Sequence, residues 1–200
     1  MSYHVRLLVK LDKVIPFSEI KIQGKWITLI SGTETLWDRI EIREPQENLI
    51  CTLDRHYIAP GRLNETAIPA LKESIQGSYP LNAREWIRDY FSEIKTIYTF
   101  QVFPDNITDK GWQVLGRIQS LLHDWLVGII QADNEGFYNE NGDYILWQMY
   151  PDASGSIQAA VLDEKVRWIS YRLKLNNAQA VARFKEGLPP GRGFLGRLRR

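Results

Sequence analysis

The chain has a single cysteine, Cys51, so no intrachain disulfide can form. It has three histidines, His4, His56 and His123, on three separate stretches, and none shows the short spacing of a local zinc site. No stretch approaches the roughly 18 apolar residues of a membrane-spanning helix. The opening Met1-Ser2-Tyr3-His4-Val5-Arg6 is broken by charge and lacks the apolar centre of a signal peptide. These absences predict a cytoplasmic protein with no transmembrane segment.

Excess charge of one sign is also missing. Twenty-five basic residues face 24 acidic ones, for a net charge of +1, which makes a nucleic-acid partner unlikely because such partners demand a basic excess. No glycine-rich phosphate loop is present, since Gly191-Arg192-Gly193 is followed by no helix pattern. There is no Gly-x-Ser-x-Gly elbow and no internal repeat. No metal site and no cofactor is expected.

What is there suits a globular fold. The apolar share of 44% and the charged share of 24% lie near globular averages, and 200 residues can bury a core without a staple. Seven Trp and nine Tyr make the chain rich in aromatics, which favour strands, cores and binding surfaces.

The first sixty residues read as strands. Val5, Leu7, Val9 and Leu11 alternate with polar neighbours. Ile20 and Ile22 lead through Gln23-Gly24-Lys25 into Trp26 to Ile30, a hairpin pattern. Ile40 and Ile42, a polar turn at 44–48, and Leu49 to Tyr57 complete an antiparallel meander. Cys51 falls in the alternating run Leu49, Cys51, Leu53 and is expected to be buried and inert.

Helices follow. Asn64 or Thr66 would cap a first one, with Ile68, Leu71 and Ile75 as its apolar face and Gly77 as its stop. Asn82 with Glu85 three residues on predicts a second helix start, and Trp86, Ile87, Tyr90, Phe91 and Ile94 share its buried face. Thr96 to Phe103 is a strand. Thr108 or Asp109 caps a long helix whose stripe is Trp112, Leu115, Ile118, Leu122 and Trp125; Gly128 breaks it, and a strand runs to Ala132. Tyr144 to Tyr150 is another strand, 157–161 and 166–175 form a hairpin, and Asn176 or Asn177 caps a last helix.

The predicted fold class is α+β: antiparallel sheet with packed helices and a ferredoxin-like βαβ element in the C-terminal half (strand 96–103, helix 108–126, strand 128–132). Residues 1–188 are expected as a single domain, with a possible sub-boundary near 60–80. Residues 189–200 are expected as a flexible basic tail.

Candidate functional residues are few. Asp54 and His56, two apart on a strand, share one face, as a carboxylate orienting a general base would. The loop Asp133 to Asp143 is acidic. Asn139, Asn141 and Gly142 match three positions of an EF-hand loop, but Phe137 and Gln148 occupy two ligand positions and fail, while Asn141-Gly142 is a hairpin dipeptide. The last twelve residues carry Arg192, Arg197, Arg199 and Arg200 and no acid, which leaves the rest of the chain at −3.

Two functions compete. The first is a non-enzymatic interaction or regulatory protein that binds another protein or a second copy of itself, through Asp133, Glu135 and the arginine tail. The second is a hydrolase-type enzyme that brings Asp54, His56 and one of Asp133 or Glu135 together. A small-molecule-binding domain is a third class.

Overall fold

Residues 2–21, 26–45, 48–58, 67–150 and 152–189 are described in this computed structural model. The fold is mixed α+β. The chain divides into two compact units, one of Met1–Ala67 with Glu93–Asp133, the other of Ile68–Ser92 with Asn134–Arg200.

The first unit holds strands β1 (Tyr3–Val9), β2 (Ile27–Gly32), β3 (Trp37–Arg43), β4 (Leu49–Tyr57), β5 (Thr96–Val102) and β6 (Ile129–Ala132). Their order is β6-β1-β5-β4-β3-β2, and all five neighbouring pairs are antiparallel. The short helix α1 (Phe17–Ile20) and the long helix α4 (Asp109–Leu126) belong to the same unit. Between them in the chain lie α2 (Ala67–Ser74) and α3 (Leu81–Phe91). The expected strand, helix and strand at 96–132 are present as β5, α4 and β6. They are not sheet neighbours, because β1 pairs with both.

Alternation explains this core. Leu7 and Val9 of β1, Cys51 and Leu53 of β4, and Tyr98, Phe100 and Val102 of β5 share one cluster with α4. From α4 come Val114, Leu115, Ile118, Leu122 and Leu126. The expected stripe is corrected at both ends: Trp112 is 44% exposed and Trp125 is 41% exposed. At 3.6 residues per turn Trp112 lies about 120° round the helix from Ile118, off the buried face, whereas Trp125 keeps the buried angle but lies in the last turn of α4. Leu11 is also corrected. It follows the end of β1, and the expected inward position is 48% exposed.

Two local starts differ from expectation. Ile20 ends a helix instead of entering a hairpin, because Phe17 and Ile20, three apart, are buried together; Gln23-Gly24-Lys25 lies outside the described residues. Helix α3 begins two residues earlier than Asn82 as N-cap would set it. Pro80 is its N-cap, with no side-chain cap bond, and the Asn82 side chain accepts only from Ala83 N–H at 2.9 Å. Thr108 caps α4 by accepting from Gly111 N–H at 3.2 Å.

The second unit holds β7 (Gly136–Tyr138), β8 (Tyr144–Trp147), β9 (Ser156–Leu162), β10 (Trp168–Lys174) and α5 (Ala178–Lys185) besides α2 and α3. The order is β10-β9-β8-β7. β7 is a strand inside the expected acidic loop; it pairs with β8 across the Asn141-Gly142 turn. The core is aromatic: Tyr144 stacks on Phe184 at 5.6 Å, and Trp147 meets both rings. Asn177 caps α5 by accepting from Ala180 N–H at 3.0 Å. The candidate caps Asn64 and Thr66 lie outside the described residues.

Candidate functional site

The polar face of the first unit carries the anticipated carboxylates, and register decides their partners. Arg39, Asp54, Thr99, Arg6 and Gln131 stand opposite one another across five strands. Asp54 is taken by Arg39, whose Nε and Nη2 donate to its two oxygens at 2.5 and 3.1 Å. His56 lies two residues along β4, opposite Ile97. Asp133 pairs with the other end of the sheet. Its Oδ1 accepts from Arg6 at 2.6 Å, and its Oδ2 lies 3.0 Å from His4 Nδ1 and accepts from the His4 backbone N–H at 3.2 Å. Arg6 also bonds Gln131.

Burial works against ionisation of Asp133, but the Arg6 guanidinium, with His4 and Gln131, outweighs it and holds the carboxyl below its usual range. Among the described residues the carboxylate–imidazole pair is therefore His4 with Asp133, not His56 with Asp54. β4 and β6 are separated by β5 and β1, about 14 Å at ordinary strand spacing, so Asp54 and Asp133 do not meet. Glu135 belongs to the second unit. Its carboxylate accepts from Tyr138 hydroxyl at 2.9 Å, and its backbone oxygen accepts from Tyr144 hydroxyl at 2.7 Å. The Asn139 side-chain oxygen accepts from the N–H of Asn141 and Asp143 at 3.0 and 2.9 Å, a turn-forming role. Cys51 is fully buried, and burial pushes its thiol up. Arg192, Arg197, Arg199 and Arg200 lie outside the described residues. Pro189, the expected first tail residue, is held through its carbonyl by Arg183 at 3.1 and 2.8 Å.

A different site emerges at the end of α4, where sequence reading found only a helix break. The chain passes from α4 to β6 in two residues, Val127 and Gly128. A Cβ at Gly128 would lie 2.5 Å from the Leu8 carbonyl oxygen, so glycine is spent on close approach to β1. The left-handed conformation then falls on Val127, with φ 45° and ψ 91°. A β-branched residue is a genuine outlier there. The Val127 N–H caps the helix on His123 O at 2.9 Å, but its side chain is 53% exposed.

Exposed neighbours continue this corner. Trp125 lies two residues back, with the Lys13 ammonium 4.8 Å from its ring centroid. Leu11 is three residues past the last Leu8↔Ile129 pair of the β1–β6 ladder. The backbone here is pinned: Tyr98 hydroxyl donates to Lys13 O at 3.0 Å and Thr96 hydroxyl to Leu11 O at 3.4 Å. Lys13 thus joins Trp125 to the Leu11–Lys13 stretch at this corner, with the exposed Val127 two residues past Trp125 and the exposed Leu11 two residues before Lys13. The sequence signals were Trp125 as the last member of the stripe and a valine where helix ends favour glycine.

No helix is long and apolar enough to cross a membrane among the described residues. No family model, no curated protein and no solved structure matches the chain.

Proposed function

We propose that the protein is a non-enzymatic interaction protein and that the Leu11–Lys13–Trp125–Val127 corner is where it grips another protein. The observation that carries this reading is Val127: an exposed β-branched side chain on left-handed backbone. Left-handed backbone costs about 1–2 kcal/mol for a residue other than glycine. Strained backbone of this kind clusters at functional sites. Its neighbour Trp125 is of the type that dominates binding energy at interface centres. The partner that fits presents an apolar socket for Trp125 and Val127 and a carboxylate for Lys13. The single buried thiol suits a cytoplasmic setting. The β5–α4–β6 return, with β1 between its strands, is read as a ferredoxin-like element that ends at this corner.

Asp133 and Glu135 take a smaller part in this reading, since both carboxylates already have internal partners. The arginine tail remains a second contact, tested by deleting 190–200. The scattered-residue hydrolase loses support from the register of Asp54 and Asp133.

The test compares tagged full-length protein with Trp125→Ala, Val127→Gly and, as a control, Val166→Gly. A partner retained by the wild type and by Val166→Gly, lost by the other two and photo-cross-linked from position 127, supports the proposal. Equal capture by all four overturns it. A wild-type dimer that Trp125→Ala dissociates assigns the corner to a second copy and overturns the foreign partner.

A further inference from the structure

Helices α2 and α3 of the second unit enclose a cleft of about 310 Å³, at the small end of the range for small-molecule sites. Three of its lining residues are cations. Lys72 reaches it from α2, Arg84 and Arg88 from α3, and Glu85 is the one acid among them. Ile75, 2% exposed, and the Gln76 amide complete the wall.

One carboxylate faces three cations. Arg88 pairs with Glu85. Arg84 also pairs with it, its Nε 3.6 Å from the carboxylate, an ion pair too long for a hydrogen bond. Lys72 has no hydrogen bond or ion pair among the described residues. The negative end of α2 accounts for a lysine in its last turn. It does not account for two arginines brought to the same cleft from α3. Two guanidinium forks and an ammonium around a concave space match the several oxygens of a phosphate group better than a single carboxylate does.

We propose that this cleft is a phosphate-binding site that takes inorganic phosphate or the phosphate group of a small phosphate ester. Glu85 orients Arg88 in the empty cleft and opposes the incoming anion by its charge. A bound phosphate draws Arg84 and Arg88 onto its oxygens, with Lys72 opposite.

The test is titration of the full-length protein with inorganic phosphate, then glucose 6-phosphate, at constant ionic strength set by chloride. Calorimetry and the Arg Nε–H resonances of ¹H–¹⁵N spectra are the readouts. The expected result is saturable one-to-one binding that shifts the Arg84 and Arg88 signals. Arg84→Ala/Arg88→Ala should weaken it at least tenfold and Lys72→Ala several-fold, while Glu85→Gln tightens it. Tighter binding of the ester assigns the source to a phosphorylated small molecule; equal binding assigns it to free phosphate. Arg88 is 58% exposed, so Arg88→Ala alone carries the test if the double variant misfolds. No saturable response above chloride, or wild-type affinity in the arginine variants, overturns the proposal.

Discussion

Val127 at the α4–β6 corner and Val166 at the tip of the β9–β10 hairpin share one backbone outlier and differ in what surrounds it. Their φ angles are 45° and 58°, and their exposures are 53% and 64%. At Val166 the neighbourhood is charged and the cause is local. The Asp163 carboxylate accepts from the N–H of Lys165 and Arg167, both at 2.9 Å, and from the Arg167 guanidinium at 2.9 and 2.7 Å. Val166 N–H closes the turn on Asp163 O at 3.0 Å. These five hydrogen bonds hold the turn and its left-handed residue. At Val127 the cause is distant in sequence. Gly128 must approach the Leu8 carbonyl, and the nearby Trp125, which meets Lys13, is exposed as well. The same strain therefore means a tight turn in one place and a candidate interface in the other.

The comparison breaks most severely at Gly128. Gly128→Ala sets a Cβ against backbone, which cannot swing aside as a flexible side chain would, so a loss of about 3 kcal/mol or more is expected in urea unfolding. Leu122→Ala, fully buried under the same corner, should cost about 2–5 kcal/mol by leaving a cavity. If Gly128→Ala is neutral, β1 does not constrain the corner.

Partner capture separates the two valines directly. Trp125→Ala should weaken it by about 2 kcal/mol, roughly thirtyfold. Val127→Gly should weaken it too, while raising fold stability by up to about 1 kcal/mol as the left-handed strain is relieved. Val166→Gly should give a similar stabilisation, a rise of about 2–4 °C in Tm, with capture unchanged. Loss of capture with Val166→Gly would erase the distinction.

The smallest expected effect is the pH dependence of Asp133. Its folded carboxyl titrates below the ordinary value of 3.8. Its contribution is therefore present above 3.8 and is lost as pH falls through the lower, folded value. Asp133→Asn should reduce stability slightly at neutral pH. The gap from wild type should close below pH 3.8, as read by acid unfolding. A gap that stays constant down to pH 2 would show that the Arg6–Asp133–His4 bonds act without the charge.

Elements with short-range causes were legible in the sequence. Thr108 and Asn177 are helix caps because each side chain reaches an N–H three residues on, a relation fixed by local geometry. The alternation of β1 and β4 and the α4 stripe around Ile118 follow from period two and period 3.6. The burial of Cys51 was readable from its alternating neighbours. Longer relations were not. β1 inserts between β5 and β6, so His4 and Arg6 stand beside Asp133 although they are more than 120 residues away in the chain. The proximity of Asp54 to His56 in sequence carried no information about Arg39, which reaches Asp54 through register.

The sequence by itself determined the classes of element, their caps and most of their buried faces, because those depend on contacts within a few residues. Tertiary structure decided which carboxylate meets which base, which tryptophans reach the surface, and where glycine is needed. Those outcomes depend on strand order and on where each helix runs out of sheet to cover. Trp125 has the spacing of a core residue and becomes a surface residue because it lies in the last turn of α4, one residue before the helix ends.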